Sequence, residues 1–309
     1  MTDESPRKFV LVTRKTRLQE LVERFNTWPQ AKFYLEHNQV NAKDYFDEHD
    51  LYQERVRQAE QFLKKTGLFQ KLERSMLPGY RFHPTDIVVV IGQDGLVANT
   101  LKYLDGQPLV ALNPDPGRWD GKLLPFSVKD LPGVIRQVCH NDWPCRKITF
   151  AQACTNDGQQ ILAVNDLFIG PRTHQSARYR INWADKAETQ SSSGIIVSTG
   201  FGSTGWFQSI LAGAMAVSGT TGHPLENGFA WDEQRLQFSV REPFPSRTTG
   251  IGLVFGEITQ EKWLEIESMM PENGVIFSDG IENDCIAFNS GIIAKIGLSK
   301  KAGRLVWNT

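Results

Sequence analysis

Five consecutive apolar residues, Ile87-Val-Val-Val-Ile91, run into Gly92-Gln-Asp-Gly95. An unbroken β-branched run of this length predicts a strand buried on both faces, the condition of strands inside a parallel sheet. Apolar residues then recur at roughly helical spacing over residues 96–104. Strand, glycine turn and helix together constrain the fold more than any other stretch. They deliver the turn to the carboxyl edge of a parallel sheet, where open α/β sheets bind their ligands. Asp94 is the side chain placed there. With Gly92 and Gly95 beside it, a ligand and backbone N–H groups can both come close. Aspartate is also a favoured residue at a helix start, so the turn alone leaves a capping and a functional reading open.

Around this stretch the N-terminal half reads as α/β. Residues 1–8 read as a polar tail, 9–13 as a strand and 14–25 as a helix. A helical piece follows near 31–37, with loop on both sides. An amphipathic helix is expected over 52–73, with Gly67 as its weak point, and Pro78-Gly79 marks a turn. A second short buried strand, 109–112, leads into the loop Asn113-Pro-Asp-Pro-Gly-Arg-Trp-Asp-Gly121, and a helix is expected over 131–140.

Beyond Trp143-Pro144 the texture changes. Strands are expected at 147–153, 160–169, 177–183, 194–199, 235–240, 249–254, 263–267, 274–278 and 291–298, with a hairpin turn at Asn156-Asp157-Gly158. The expected architecture is therefore an α/β domain with a Rossmann-like parallel sheet, residues 1–143, and a β-rich domain, residues 144–309. The extreme C-terminus is a candidate to return to the first domain.

Composition removes several classes. Lys plus Arg number 34 against 35 Asp plus Glu, a formal net charge of −1, without the basic surplus of a nucleic-acid binder. No apolar stretch approaches the ~18 residues that a membrane span needs. The charged N-terminus lacks the apolar region of a secretory signal. Cys139, Cys145, Cys154 and Cys285 form no C-x-x-C. They argue against zinc and against a disulfide framework, and for reduced thiols in a cytoplasmic protein.

The densest glycine and hydroxyl segment is Ser191-Ser-Ser-Gly-Ile-Ile-Val-Ser-Thr-Gly-Phe-Gly-Ser-Thr-Gly-Trp206. It runs from a strand through a turn into a helix expected over 206–217. Residues 200–205 match G-x-G-x-x-G, the dinucleotide fingerprint. A Rossmann dehydrogenase is nevertheless rejected. The fingerprint needs a second parallel strand ending in an acidic residue about 20 positions on, and here Ser218-Gly-Thr-Thr-Gly-His-Pro follows instead. Two readings remain: a helix N-terminus presenting N–H groups to an anion near Gly202 and Ser203, and a tight, close-packed turn. Between the glycine turns, Asn165-Asp166 interrupts an apolar run. A polar pair in such a run must find partners or face a cleft, and an amide beside a carboxylate suits a ribose diol; a bulge or turn is the alternative.

Taken together these stretches resemble the NAD kinase family. The family pattern is G-G-D-G-T, then N-x-G-x-L-G-F-L, then N-E, then D-G-x-I-V-S-T-P-T-G-S-T-A-Y. In the same order this chain has Gly92-Gln-Asp-Gly-Leu96, Asn113 with Gly121-Lys-Leu-Leu124, Asn165-Asp166, and residues 193–206 without a gap. The resemblance covers about residues 85–300 and includes Arg241-Glu-Pro-Phe-Pro-Ser and Phe277-Ser-Asp-Gly280. The chain departs from the pattern at Gln93, Leu96, Asp166, Ser193, Gly200, Phe201 and Trp206.

The resemblance implies a kinase using ATP, or polyphosphate, and NAD(H) to make NADP, with a divalent ion such as Mg2+. It also implies an α/β domain, a β-rich domain, a cleft between them and a homo-oligomer. By position Asp94 is the expected base at the adenosine ribose 2′-hydroxyl. Gly92, Gly95, Gly202 and Ser203 are expected at phosphate. Asn165, Asp166, Thr204, Gly205, Trp206 and Ser209, with Asn113 and Asp279, are expected at the dinucleotide. The altered turn at Gln93 and Leu96 motivates a second expectation, a non-catalytic nucleotide sensor. Ser193 and Phe201 motivate a third, a kinase for another hydroxyl on a sugar, nucleoside or lipid.

Overall fold

A computed structural model of the protein describes residues 7–308. The tail expected over residues 1–8 lies, through residue 6, outside them. The chain divides into two compact units, Met1–Arg146 with Arg304–Thr309, and Lys147–Gly303.

In the first unit the order is β1 (Lys8–Thr13), α1 (Arg17–Phe25), α2 (Trp28–His37), α3 (Ala42–Thr66), β2 (Leu68–Glu73), a 3₁₀ turn (Arg74–Gly79), β3 (Ile87–Ile91), α4 (Asp94–Leu101), β4 (Pro108–Asn113), β5 (Phe126–Ser127) and α5 (Leu131–Cys139). The strands pair in parallel in the order β2-β1-β3-β4, with β5 on the far edge of β4. All five residues of β3 are buried, as the β-branched run predicts. Phe9, Leu11, Ile87, Val89 and Ile91 pack with Tyr52, Val56, Ala59 and Leu63 of α3 and with Leu131, Ile135 and Val138 of α5. Val10, Val12, Val88 and Val90 are also fully buried. Each such side chain contributes roughly 1.5–3 kcal/mol of burial free energy.

The region 42–73 differs from expectation. Asn41 caps α3, its side chain accepting from the Lys43 N–H, and the helix stops at Gly67. Residues 68–73 then form β2, in parallel register with β1. As an edge strand β2 buries only Leu72 fully and leaves Leu68 54% exposed. Two leucines four apart therefore imitate helical spacing.

The second unit is built from β6 (Cys145–Thr155), β7 (Gln160–Ala163), β8 (Asp166–Pro171), β9 (Ala177–Trp183), β10 (Lys186–Ser192), β11 (Ile195–Ser198), α6 (Trp206–Ser218), β12 (Leu236–Val240), β13 (Phe255–Ile258), β14 (Leu264–Ser268), β15 (Gly274–Ser278), β16 (Ile281–Ala287) and β17 (Ile293–Val306). β10, β9, β14 and β17 form one antiparallel set, with β6 and β7 attached. The order β13-β12-β11-β8-β15-β16 forms a second, wholly antiparallel sheet. One hydrophobic core, including Tyr179, Ile181, Leu167, Val197, Phe238 and Ile266, takes side chains from both. Residues 304 and 305 of β17 pair with Pro108 and Leu109 of β4 and belong to the first unit.

Three expectations are corrected here. Residues 160–169 are two strands, β7 and β8, broken at Val164 and Asn165. Residues 249–254 form a loop, in which the N–H groups of Gly252 and Leu253 donate to the Glu188 carboxylate. β10 and β16 are additional strands. β10 reads as polar, yet Gln190 is fully buried and its amide oxygen accepts from the Tyr179 hydroxyl. Among the described residues, no helix is long and apolar enough to cross a membrane.

Candidate functional site

In the first unit the chain crosses from β1 outward to β2, then returns beyond β1 to β3 and on to β4. The reversal lies between β1 and β3, and a crevice outside the carboxyl ends of such a strand pair is where open α/β sheets bind ligands. Arg14 follows β1 there, and Gly92-Gln-Asp-Gly95 follows β3. Asp94 is the first residue of α4, and Gln93 occupies the cap position without a side-chain cap bond. The N–H groups of Asp94 and Gly95 have no carbonyl four residues earlier inside the helix. Gly95 is exposed, and a Cβ built on it meets nothing within 4 Å. The Asp94 carboxylate is half-buried, and its Oδ1 accepts from the Leu123 N–H at 3.1 Å.

Leu123 ends a loop that Asn113 organises. The Asn113 amide donates to the Trp119 carbonyl at 3.0 Å, and its oxygen accepts from the Asp115 N–H at 3.0 Å. Gly121, at φ +56°, lies so close that a Cβ there would stand 2.5 Å from Asn113 Nδ2. Asn113, expected at the ligand, therefore holds the loop that holds Asp94. Leu96 is buried, its Cδ2 2.9 Å from where a Cβ on Gly92 would sit. An apolar side chain thus fills the space where the family pattern has threonine.

The second unit carries the other expected residues. Val164 and Asn165 form the break between β7 and β8, clasped by Asp279. The Asp279 carboxylate accepts from the Val164 N–H at 3.0 Å and from the Asn165 N–H at 2.6 Å. Asp279 and Gly280 form the two-residue turn of the β15–β16 hairpin, at φ +56° and +70°, the conformation that Asp-Gly favours in such turns. Asp279 thus acts on the backbone of the polar pair. Asp166 is 7% exposed. Burial, and then the nearby Asp279 charge, push its carboxyl up to about 7, so near neutrality it exists in both protonation states. Strongly shifted carboxyls of this kind cluster at functional sites.

The 199–205 turn packs on the same break. Thr199 donates its backbone N–H to the Asn165 carbonyl at 2.9 Å. Its hydroxyl, bonded to the Val164 carbonyl, accepts from the Gly202 N–H at 3.1 Å. A Cβ on Gly202 would collide with the Asn165 carbonyl, and one on Gly200 with that of Ala230. Ser203 is fully buried, donates to the Gly200 carbonyl at 2.7 Å and accepts from the Phe229 N–H at 3.0 Å. Gly202 and Ser203, expected at phosphate, thus have the Gly202 N–H and the Ser203 hydroxyl engaged inside the turn. Thr204, Gly205 and Ser209 are exposed at the start of α6. Trp206 stacks on Phe168, centroids 5.8 Å apart, and the Arg241 guanidinium lies 5.4 Å from its ring.

No protein-family model and no curated protein sequence matches the chain. Solved structures do. A yeast NADH kinase complexed with NADH superposes with a TM-score of 0.57 over 99% of this chain and 85% of its own, at 15% identity. An NAD kinase from Archaeoglobus fulgidus in complex with ATP gives 0.56 over 97% and 94%, also at 15% identity. The chain has the NAD-kinase fold. Its parallel and antiparallel sheets follow those folds almost from end to end, with the sequence largely rewritten.

Within this fold the structure adds residues that sequence reasoning missed. Leu123 acts through its backbone and leaves no side-chain signal. The Thr199 hydroxyl locks the second turn, a role hidden among neighbouring hydroxyls. Tyr52 donates to the carbonyl of Ile91, the last residue of β3, at 3.0 Å and accepts from the Arg14 N–H at 2.9 Å. Burial pushes its phenol up to about 12, so the donating proton stays in place. Among the described residues no group of three or more His, Cys, Asp or Glu side chains gathers to hold a metal ion.

Proposed function

We propose that the protein is a phosphotransferase that moves the γ-phosphoryl group of ATP to the adenosine ribose 2′-hydroxyl of NAD or NADH, releasing ADP and NADP(H). The observation that carries this reading is Asp94, fixed at the sheet's reversal point by the Leu123 N–H, beside an uncrowded glycine at a helix start. Likeness in fold to an NADH kinase and an NAD kinase supports it. Phosphoryl transfer asks chiefly for positioning and charge stabilisation. Asp94 takes the hydroxyl proton through Oδ2 while Oδ1 stays bound to Leu123. The N–H groups of Asp94 and Gly95 face the phosphate charge. Within the second unit, Asn165 and Asp166 suit ribose hydroxyls, and Thr204, Gly205, Trp206 and Ser209 suit the remainder of a dinucleotide. The described side chains offer no cage for a divalent ion; Mg2+ would come bound mainly through the donor's phosphates.

Asp94→Asn is expected to keep the fold and to lower turnover by about 10²–10⁴-fold, the usual contribution of a positioned base. A coupled assay of ADP release, with melting curves alongside, measures both. Unchanged turnover would remove Asp94 from the chemistry. The packing of Leu96 against Gly92 favours one second reading, a nucleotide-binding sensor. The same assay, run with NAD, NADH, sugars, nucleosides and lipid head groups, separates it: binding without ADP release from any acceptor selects the sensor.

A further inference from the structure

The two halves of α3 are held in place by different means. Its later turns bury Tyr52, Val56, Ala59 and Leu63 against the parallel sheet. In residues 42–50 no apolar side chain is buried, and the buried residue is a carboxylate, Glu48. An apolar stripe is what ordinarily carries a helix along a core. The first turns of α3 lack one, so packing alone does not account for them.

What they carry is charge. Arg14, Glu48, Arg17, Asp44, Arg118 and Asp115 follow one another in alternating sign. The Arg14 guanidinium donates to Glu48 Oε1 at 2.7 Å. Glu48 Oε2 accepts from the Arg17 backbone N–H at 3.3 Å and lies 3.7 Å from Arg17 Nε. Arg17 Nη2 donates to Asp44 Oδ2 at 2.7 Å, and Arg118 Nη2 stands 2.8 Å from Asp44 Oδ1. Arg118 Nε lies 3.4 Å from Asp115 Oδ2. The row joins three separate segments: the chain after β1, the start of α3, and the loop between β4 and β5.

Asp44 is the shared member, with each oxygen given to a different arginine. Bonds between ionised partners are the stronger kind. Arg17, and then Arg118, hold its carboxyl below the usual carboxylate range. An isolated exposed ion pair contributes little, but a network is the exception. This one is anchored in the interior by Glu48, which is 4% exposed.

The row ends beside the reacting centre. Arg118 lies in the loop that Asn113 organises and whose Leu123 N–H holds Asp94 Oδ1. At the other end, Arg14 Cδ stands 3.7 Å from where a Cβ on Gly92 would be. We propose that Asp44 is a positioning residue for the phosphotransfer, holding the 114–123 loop through Arg118 so that the Leu123 N–H meets Asp94. This rests on the catalytic reading of Asp94 given above. Asp44 touches no reacting atom. With the loop held, Oδ1 of Asp94 is occupied and Oδ2 is left for the acceptor hydroxyl. With the loop released, the carboxylate is free to turn, and a misplacement of about 1 Å can cost on the order of a hundredfold in rate.

The test compares Asp44→Asn, Arg118→Gln and their double variant with wild type. Lys64→Gln is the control, since it breaks a comparably short ion pair, to Glu60 at 2.6 Å, near the other end of the same helix. Asp44→Asn and Arg118→Gln are each expected to lower kcat by about ten- to a hundredfold, with KM for ATP and NAD(H) within about twofold of wild type. The double variant should lose no more than either alone, as partners acting through one bond do. Amide hydrogen exchange at Leu123 should rise about tenfold in both while Val89 in β3 stays protected, and melting temperatures should move by less than about 4 °C. Lys64→Gln should change none of these. The proposal is overturned if Leu123 exchanges as in wild type in both variants, if Val89 loses as much protection as Leu123, if the two losses in kcat add, or if KM rises with kcat unchanged. Faster Leu123 exchange in a chain whose wild type transfers no phosphoryl group removes the catalytic reading of Asp94 and keeps the hold on the loop. Normal transfer with Leu123 exchange unmoved in both variants does the reverse.

Discussion

The molecule uses the same device twice, a strand, a glycine-rich turn and a helix, with opposite results. At residues 92–95 the turn is open. Gly95 faces space, the first helical N–H groups lack intrahelical partners, and Asp94 is fixed by one backbone bond. At residues 200–205 the turn is closed. Gly200 and Gly202 are pressed onto the carbonyls of Ala230 and Asn165, and the Ser203 hydroxyl is doubly engaged. Glycine in the first turn leaves room for something from outside; in the second it lets two pieces of backbone touch. The richer motif, by sequence, is therefore the packing element, and only its end at Thr204 and Gly205 is exposed.

The contrast can be broken by substitution. The largest effect is expected from Gly202→Ala, since its methyl meets fixed backbone. Loss of a stable second unit, beyond about 4 kcal/mol, should appear as insoluble or unmelting protein; a normal melting curve would show that this turn is not close-packed. Asp94→Asn comes next, with the turnover loss given above and an unchanged melting temperature.

Asp166→Asn should act through pH. The folded carboxyl lies near 7 and the unfolded one near its ordinary value. Between about pH 4 and 7 the folded state therefore holds a proton that the unfolded state lacks, and stability falls as pH rises across that window. The amide cannot ionise, so the variant should melt above wild type at pH 8.5, by up to roughly 4 kcal/mol. The gap should close towards pH 4. A gap independent of pH would mean that Asp166 is ionised throughout. The smallest effect is expected from Gly95→Ala, within about 1 kcal/mol in stability, so that any fall in turnover reports crowding of the open turn.

Much of this was legible beforehand, and the misses have physical causes. The run Ile87–Ile91 announced a doubly buried strand because only such a site accepts five β-branched residues in succession. α6 was legible from its glycine approach and apolar composition. β2 and β10 were not, since edge strands bury little and lose the alternation that betrays a strand. The break at Asn165 could be suspected from its polarity, but its cause, a carboxylate from residue 279, is 114 positions away. Asp94 could be singled out by its glycines. The Leu123 N–H that fixes it could not, because every residue but proline carries that group.

One detail of connectivity has a consequence for biogenesis. Leu305 and Val306 are fully buried in the first unit, and residues 304–305 complete the edge of β4. A ribosome therefore finishes the amino-terminal unit only after translating everything between Lys147 and Gly303. Until then β5 covers one end of that edge of β4, and the Pro108–Leu109 end waits for its partner.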